Sequence, residues 1–360
     1  GITRINGRII GDGRYFDGQM EPDSWEYGDL GTYYAPGGNG LSFFENEQDF
    51  TAKPGTRLGE PVSIKVKYPE TPWMVFEHEA VTAGPGVGDN LYLYTNDLTT
   101  RASMRGTLGM ESGTRTEECA NKYGAFTCAY YFFNHLKAKG VTVTDGPADV
   151  DPFGNIRVDL ASMEVDRQAA EWKEIKILGS TFSPELYKIV DETNHRSDNF
   201  YAETCLRILS RIKTGSADYE ACREIEPVLL KELGVKNPSV GAHISDGSGL
   251  SRQNYISPDY FVRFLTAMMS SPVYETYVKT LPQPGQGTLK SRMQNSDPKV
   301  KARVYMKTGS MGGVRCYSGY ILPSSGKKED TIIFSLLTNN IMDNVYSNMD
   351  YLVNYLGKEN

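Results

Sequence analysis

The chain has 360 residues, 39% hydrophobic and 23% charged, with a net charge of −7 and a pI of about 5.3; that length and apolar content can bury one or two ordinary cores and favour about two domains. Lysines and arginines are dispersed rather than clustered, which argues against a nucleic-acid or anionic-membrane surface. The longest apolar run, residues 331–338, falls far short of the roughly 18 residues that a membrane helix needs.

Up to about residue 165 the chain reads mostly as strands. It starts in a strand-like stretch with no charged leader or apolar signal segment, so no address is expected within it. "GRIIGDG", "EPVSIKVKY", "WMVFEHEAVT" and "NLYLYT" are short, rich in β-branched and aromatic residues, and bounded by Gly, Pro, Asn and Asp. One helix interrupts them at "AFTCAYYFFNHLKAKGV", with apolar residues at helical spacing and a basic last turn before Gly140. The 23 tyrosines and 36 glycines suit a turn-rich β fold, a composition often found where glycans or peptides are met. Five cysteines give an odd count with no metal spacing; Cys119 with Cys128, and Cys205 with Cys222, could bridge, but five unpaired thiols are the expectation.

The character changes after residue 165. "SPELYKIVDETN" predicts a helix capped by Ser183 with Pro184 at its first position, and "SPDYFVRFLTAMMSS" repeats that start with Ser257 and Pro258. "SDNFYAETCLRILSRI" and "YEACREIEPVLLKELGV" read as amphipathic helices. The strands "ARVYMKTGS", "RCYSGYIL" and "TIIFSLLTNN" follow, with "SSGKK" as a hairpin turn, and then a last helix in "NVYSNMDYLVNYLG". The expected organisation is therefore a β-rich region, 1–165, and an α+β layer, 166–360.

Three stretches of the second part carry chemistry together. They are Ser197-Asp198-Asn199, the segment "SDGSGLSRQNYISP" at 245–258, and "KTGSMGG" at 307–313. A lone triplet means little; the order, and 110 residues between Ser197 and Lys307, mean more. They make two-thirds of the signature of serine penicillin-recognising enzymes: an S-x-x-K serine, an S-x-N and a K-T-G. Serine attacks a peptide or lactam carbonyl, a lysine moves its proton, and backbone N–H groups hold the oxyanion. A K-T-G on an edge strand would present the charge of Lys307, the Thr308 hydroxyl for a substrate carboxylate, and the Ser310 N–H as oxyanion donor. Gly309 would let substrate backbone lie close. Ser197 could relay a proton to the leaving amine, and the Asn199 amide could hold the peptide oxygen.

Bland alternatives exist for each. Ser197 alone reads as a helix N-cap and Lys307 as a solvated edge lysine; Asp246, Gly247 and Gly249 make a tight turn in any reading. His195 invites a Ser-His pairing, but a lone histidine is more often structural. A second triplet, Lys213-Thr214-Gly215, follows a helical pattern and falls at that helix's end, away from any strand, and is set aside.

The combination RSDNFYAET, DGSGLSRxN and KTGSMGGV resembles the class C low-molecular-mass penicillin-binding proteins, the D-alanyl-D-alanine carboxypeptidase/endopeptidase family. DGSGLSRxN is the discriminating piece, and "SWEYGDLGTYYAPGGNGLSFFENE" resembles the opening of that family's inserted β domain, so the resemblance covers nearly the whole chain. It implies the C-terminal portion of a penicillin-binding/β-lactamase-like transpeptidase domain, together with a β-rich inserted region. It also implies hydrolysis of D-Ala-D-Ala bonds or stem-peptide cross-links through an acyl-enzyme, in the periplasm or outside the cell, with no metal or organic cofactor. The partners implied are peptidoglycan stem peptides and β-lactams. The resemblance carries a side-chain pocket as well: Asp29 and Tyr34 with Arg252, walled by Leu250 and Met311. Asp29 would meet the ammonium and Arg252 the carboxylate of a diamino acid such as meso-diaminopimelate.

The acylating S-x-x-K should precede Ser197. The only matches are Ser210/Lys213, Ser296/Lys299, Ser324/Lys327 and Ser325/Lys328, all later in the chain and none credible, with "NSDPKV" read as a loop. The chain as given is expected to lack the nucleophile, by loss of an N-terminal segment rather than by degeneration. Uncovered apolar faces would then allow a dimer or a rearranged sheet edge. Two other readings remain. A class A β-lactamase shares the two triplets, and Glu226-Pro227 resembles its deacylating loop, but the helical pattern runs through that pair. A non-catalytic receptor for peptidoglycan peptides would use the same side chains without acylation.

Overall fold

The computed structural model describes residues 1–162, 164–166 and 175–358. Two compact units divide the chain: residues 1–176 with 203–222, and residues 177–202 with 223–360.

The first unit runs through β1 (Arg4–Ile5), β2 (Ile9–Asp12), β3 (Glu47–Lys53), β4 (Ser63–Tyr68), β5 (Val75–His78), β6 (Val81–Ala83), β7 (Asp89–Tyr94), β8 (Arg101–Gly109), β9 (Arg115–Ala120), α1 (Gly124–Ala138), β10 (Thr142–Val143), β11 (Pro147–Val150), β12 (Ile156–Asp159) and β13 (Glu164–Asp166). Strands β4, β3 and β9 form one antiparallel sheet; β8 is central to another, parallel to β5 and β6 and antiparallel to β7. Phe50, Leu93, Met104 and Leu108 from both sheets make the principal core. Gly31 is required there, since a Cβ would lie 1.7 Å from the Leu93 carbonyl.

The division expected at residue 165 differs from these units. Residues 203–222 cluster with the first unit, and residues 167–174, next to the expected boundary, lie outside the described residues. The physical reason is Arg207, which is fully buried. Its guanidinium donates to the carbonyls of Asp17 (2.8 Å), Gly38 (2.6 Å) and Ala217 (2.9 Å) and lies over the rings of Phe16 and Tyr219. A buried cation must be satisfied in this way, so it fixes the segment that carries it.

The remaining elements are α2 (Leu186–Arg196), α3 (Asn199–Thr214), α4 (Tyr219–Glu232), β14 (Ala242–His243), β15 (Tyr255–Ile256), α5 (Pro258–Met269), α6 (Tyr274–Thr280), α7 (Pro298–Lys301), β16 (Val304–Met311), β17 (Val314–Ile321), β18 (Ile332–Thr338) and α8 (Tyr346–Lys358). Strands β16, β17 and β18 form the expected antiparallel meander. Side chains alternate across it. Val304, Met306, Tyr317, Ile321 and Phe334 pack with Leu289, Met349 and Val353 on the α8 face. Tyr320 joins Leu265, Tyr274 and Val278 on the α5–α6 face, where Tyr305 also packs. Gly319 permits the close pairing of β16 and β17, because a Cβ there would lie 2.1 Å from the Tyr305 carbonyl. The fold is α+β, as the sequence implies.

Ser257 caps α5 as expected, its hydroxyl accepting from Tyr260 N at 3.2 Å, with Pro258 first in the helix. Two local expectations are corrected. Helix α2 starts at Leu186, not after Ser183. Phe182 and Leu186 are exposed, and the helix gains packing only from Ile189 onward, so the Ser-Pro pair has no buried face to organise. The segment 298–301 is a helical turn rather than a loop, capped by Asp297 accepting from Lys299 N at 2.8 Å. All five cysteines are free thiols.

Leu289 is wholly buried in the core beneath β16. Leu289→Ala is expected to cost about 2–5 kcal/mol and Leu289→Met less than about 1.5 kcal/mol, read from urea denaturation followed by far-UV circular dichroism. Equal, negligible losses for both would contradict this packing.

Candidate functional site

The Ser197-Asp198-Asn199 triplet forms an elbow between α2 and α3. Ser197 is the C-cap of α2 in the left-handed conformation, φ 61° and ψ 49°, which for a side chain other than glycine costs about 1–3 kcal/mol and is retained where the surroundings demand it. Asp198, not Ser197, caps α3: its carboxylate accepts from Tyr201 N at 2.9 Å. The N-cap reading of Ser197 is thereby corrected, and its hydroxyl is left for other work. The end of α2 is pinned twice. Asn194 donates to the Thr280 hydroxyl at 3.0 Å, and Gly287 (φ 44°) sits so close that a Cβ would meet the His195 carbonyl oxygen at 2.5 Å.

Lys307, on β16, reaches this elbow. Its Nζ donates to Ser197 Oγ at 2.7 Å and to the Thr308 carbonyl at 2.8 Å. No carboxylate pairs with it among the described residues, and desolvation lowers its pKa from 10.5 to about 8. Opposite it across the strand pair lies Ser318, whose hydroxyl bonds that of Ser335 at 2.9 Å. Alternation turns Thr308 and Ser310 to the other face. Thr308 Oγ1 donates to Thr288 Oγ1 at 3.0 Å, and Ser310 Oγ accepts from the Tyr346 hydroxyl at 3.4 Å. A Cβ at Gly309 would lie 3.4 Å from that of its cross-strand neighbour Cys316. Asn199 opens α3, half-buried.

The segment 245–254 is a knot tied around one carboxylate. Asp246, buried, accepts from Gly249 N (2.9 Å), Ser251 N (2.6 Å) and Asn254 Nδ2 (2.8 Å), while Asn254 Oδ1 accepts from Ser245 N. The turn leaves Leu250 half-buried and Arg252 exposed. The Arg252 guanidinium lies against Gly312 in the turn after β16, where a Cβ would come within 3.4 Å of it. Arg252 and the end of the "KTGSMGG" stretch, which includes Met311, are therefore brought together. In the first unit, the Tyr34 hydroxyl donates to Asp29 Oδ1 at 2.9 Å, and burial with that carboxylate pushes its pKa up to about 12. Asp29 and Tyr34 belong to the first unit; Leu250, Arg252 and Met311 belong to the second.

None of the four S-x-x-K serines is the hydroxyl partner of Lys307, which is Ser197. Ser210 is fully buried and donates to the Ser216 carbonyl at 2.8 Å; Ser325 donates to Asp330 at 2.7 Å in the exposed hairpin that also holds Ser324. Ser296 sits at the turn before α7. Lys213 lies at the C-terminal end of α3, which Gly215 terminates with φ 85°. His195 contacts Asp191 within its own helix. Glu226 sits in α4, which continues through Pro227, and bonds the Tyr260 hydroxyl. Among the described residues no group of three or more His, Cys, Asp or Glu converges on a metal position, and no helix is long and apolar enough to cross a membrane. Thr288 and Tyr346 escaped the sequence reading because neither belongs to a recognisable triplet; the glycines of "PGQGTLK" were the only signal near Thr288.

The D-Ala-D-Ala carboxypeptidase 3 (S13) family matches over residues 1–356. The D-alanyl-D-alanine carboxypeptidase of Actinomadura sp. (strain R39) is 25% identical over 351 residues, covering 94% of this chain and 60% of the relative, so the chain spans less than two thirds of that protein's length. A penicillin-sensitive carboxypeptidase A of Dictyostelium discoideum is 31% identical over 164 residues, 44% of this chain and 31% of that protein. The crystal structure of penicillin binding protein 4 (dacB) from Haemophilus influenzae superposes with a TM-score of 0.78 at 19% identity, covering all of this chain and 76% of the other, a likeness of fold. With the three motifs in order and the family matched almost end to end, the chain is a member of the S13 family of D-Ala-D-Ala carboxypeptidases.

Proposed function

We propose that this protein is a serine-type D-Ala-D-Ala carboxypeptidase or endopeptidase of peptidoglycan stem peptides, working through an acyl-enzyme in the periplasm or outside the cell. The observation that carries this is Lys307: a desolvated ammonium with no carboxylate partner among the described residues, 2.7 Å from Ser197 Oγ. A structural lysine is usually solvated or paired, because burying an unpaired charge is unfavourable. One held on a hydroxyl instead suits a site that receives an anion and moves a proton.

In this reading Ser197 and Lys307 pass a proton to the leaving amine, with Lys307 near pKa 8 able both to give and to take it. Asn199 holds the amide oxygen of the penultimate residue, and the Ser310 N–H supplies one oxyanion donor. Thr308 and Ser310 take the terminal carboxylate, and Gly309 keeps the strand narrow beside the peptide. By the family resemblance, Asp29 with Tyr34 is assigned to an ammonium, and Arg252 with Leu250 and Met311 to a carboxylate, of the substrate's diamino acid. β-Lactams would enter as mimics of the same peptide. A second reading is favoured by one observation, that none of the four S-x-x-K serines stands at Lys307: the chain binds such peptides without acylation.

Labelling by a fluorescent penicillin separates the two. A version carrying an S-x-x-K segment ahead of Ser197 is expected to label covalently with the penicillin, and Ser197→Ala to slow labelling roughly 100-fold or more, as loss of a proton-transfer group does; complete absence of labelling would remove the hydrolase reading. The 360-residue chain alone is expected to show no covalent adduct by mass spectrometry, and a stoichiometric mass shift would reveal an unrecognised nucleophile.

Lys307 also sets a pH dependence. Its folded pKa lies below its unfolded value, so the unfolded chain binds more protons between about pH 8 and 10.5, and stability should rise with pH across that window relative to Lys307→Met. Peptide affinity should move the opposite way, weakening by roughly tenfold above pH 8 as one charge-assisted hydrogen bond is lost. Titration calorimetry at pH 7 and 9.5 measures this; a flat profile contradicts the assigned role.

A further inference from the structure

The α8 face of β16 holds a second cation with no ion pair among the described residues, Arg292. Thr308 and Ser310 point to that face, together with Arg315 and Tyr317, their cross-strand neighbours on β17. Tyr346, the first residue of α8, covers them. Its ring stacks on Tyr317 with centroids 6.2 Å apart and planes 26° from parallel, and its hydroxyl donates to Ser310 Oγ at 3.4 Å. Two guanidinium groups flank the ring: Arg292 3.3 Å from its centroid, Arg315 5.5 Å from it. Arg315 is committed to the hairpin, donating to the carbonyls of Met311 and Val314. Asp350 is committed too, accepting from Met293 N at 2.8 Å and from the Tyr317 hydroxyl at 3.0 Å. Arg292 has no hydrogen bond or ion pair from its guanidinium among the described residues; the Tyr346 ring is its contact.

This arrangement polarises a chain of hydroxyls in one direction. A cation over the face of Tyr346 draws electron density from the ring and makes its O–H a stronger donor. Ser310 Oγ, accepting that proton, keeps its own hydrogen to give away, and each bond in such a chain strengthens the next. The N-terminal end of a 13-residue helix adds positive potential at the same point. An acceptor with full negative charge, arriving at Ser310, completes the chain and meets Arg292, whose guanidinium makes no ion pair among the described residues although the Asp350 carboxylate also stands near Tyr317.

We propose that Arg292, acting through Tyr346 and Ser310, is a positioning residue that makes a free carboxylate on the peptide's last residue a requirement for tight binding. The inference rests on the D-Ala-D-Ala reading of the site and goes further by assigning the acid-over-amide discrimination to a pair outside all three sequence motifs. It predicts discrimination against esters and amides of the same peptide, since these lack the charge while keeping the shape.

The test uses the 360-residue chain, N-acetyl-Lys-D-Ala-D-Ala and its C-terminal amide, with dissociation constants from titration calorimetry. Wild type should prefer the acid by roughly tenfold, the scale of one charge-assisted hydrogen bond. Arg292→Gln should narrow that ratio to about threefold or less by weakening the acid alone, Tyr346→Phe should narrow it as well, and Arg292→Lys should restore part of it. An unchanged ratio in Arg292→Gln, or equal weakening of acid and amide, overturns the assignment while leaving the peptide reading intact. Failure of wild type to bind either peptide overturns both.

Discussion

The second unit is organised around an ammonium partly withdrawn from water and with no carboxylate partner among the described residues. Lys307 can stay charged at neutral pH only if its few hydrogen bonds are good, and the best of them is to Ser197. That bond demands an exact meeting of two elements 110 residues apart in sequence. The meander sets the height of β16 through full antiparallel pairing with β17, and Gly319 lets the two backbones approach. On the other side, Ser197 is held in a left-handed conformation by a helix end clamped from Thr280 and Gly287. Backbone strain on one side and charge desolvation on the other are opposed by a single contact, which is the pattern expected where function rather than stability decides the residue.

Much of this was legible in the sequence, and the parts that were not have physical reasons. The three motifs stood out because a turn, an αL position and an edge strand each tolerate few residue types. Ser257-Pro258 marked a helix start correctly because the first turn of α5 places Tyr260 in the core. The same Ser-Pro pair at Ser183 misled because local capping without burial does not hold a helix. Ser197 was readable as chemistry but not as a C-cap: two helices separated by two residues look like one loop-to-helix junction, and which side chain caps the second, Ser197 or Asp198, depends on the elbow's angle. Strands such as β3, β8 and β9 went unrecognised since "ENEQDFTAK", "RASMRGTLG" and "RTEECA" mix charged residues with few β-branched or aromatic ones and read as polar connections. Their burial comes from sheet partners.

The first unit solves a different problem with similar means. Lys122 is wholly buried, paired with Glu21 and donating to the carbonyls of Ala35 and Pro36, and Arg207 sits among three carbonyls and two rings. Such groups contribute little net stability against apolar replacements but strongly disfavour other arrangements of the chain around them. They fix loops rich in glycine and proline, residues 35–40 among them, that a hydrophobic core of this kind could not order by itself. The Asp29–Tyr34 pair is carried in the same stretch of chain, so its geometry inherits that order.

The turn at 245–254 separates two duties that loops commonly combine. Asp246 and Asn254 tie it together through main-chain N–H groups and one amide bond between them, while the Leu250 side chain is apolar and half-buried at its rim. A wall side chain such as Leu250 can therefore change without unravelling the backbone that carries it. Over evolutionary time such a loop can drift toward a different wall chemistry one residue at a time, each intermediate remaining folded, and for the same reason it is a place where specificity can be re-engineered without first rebuilding the scaffold.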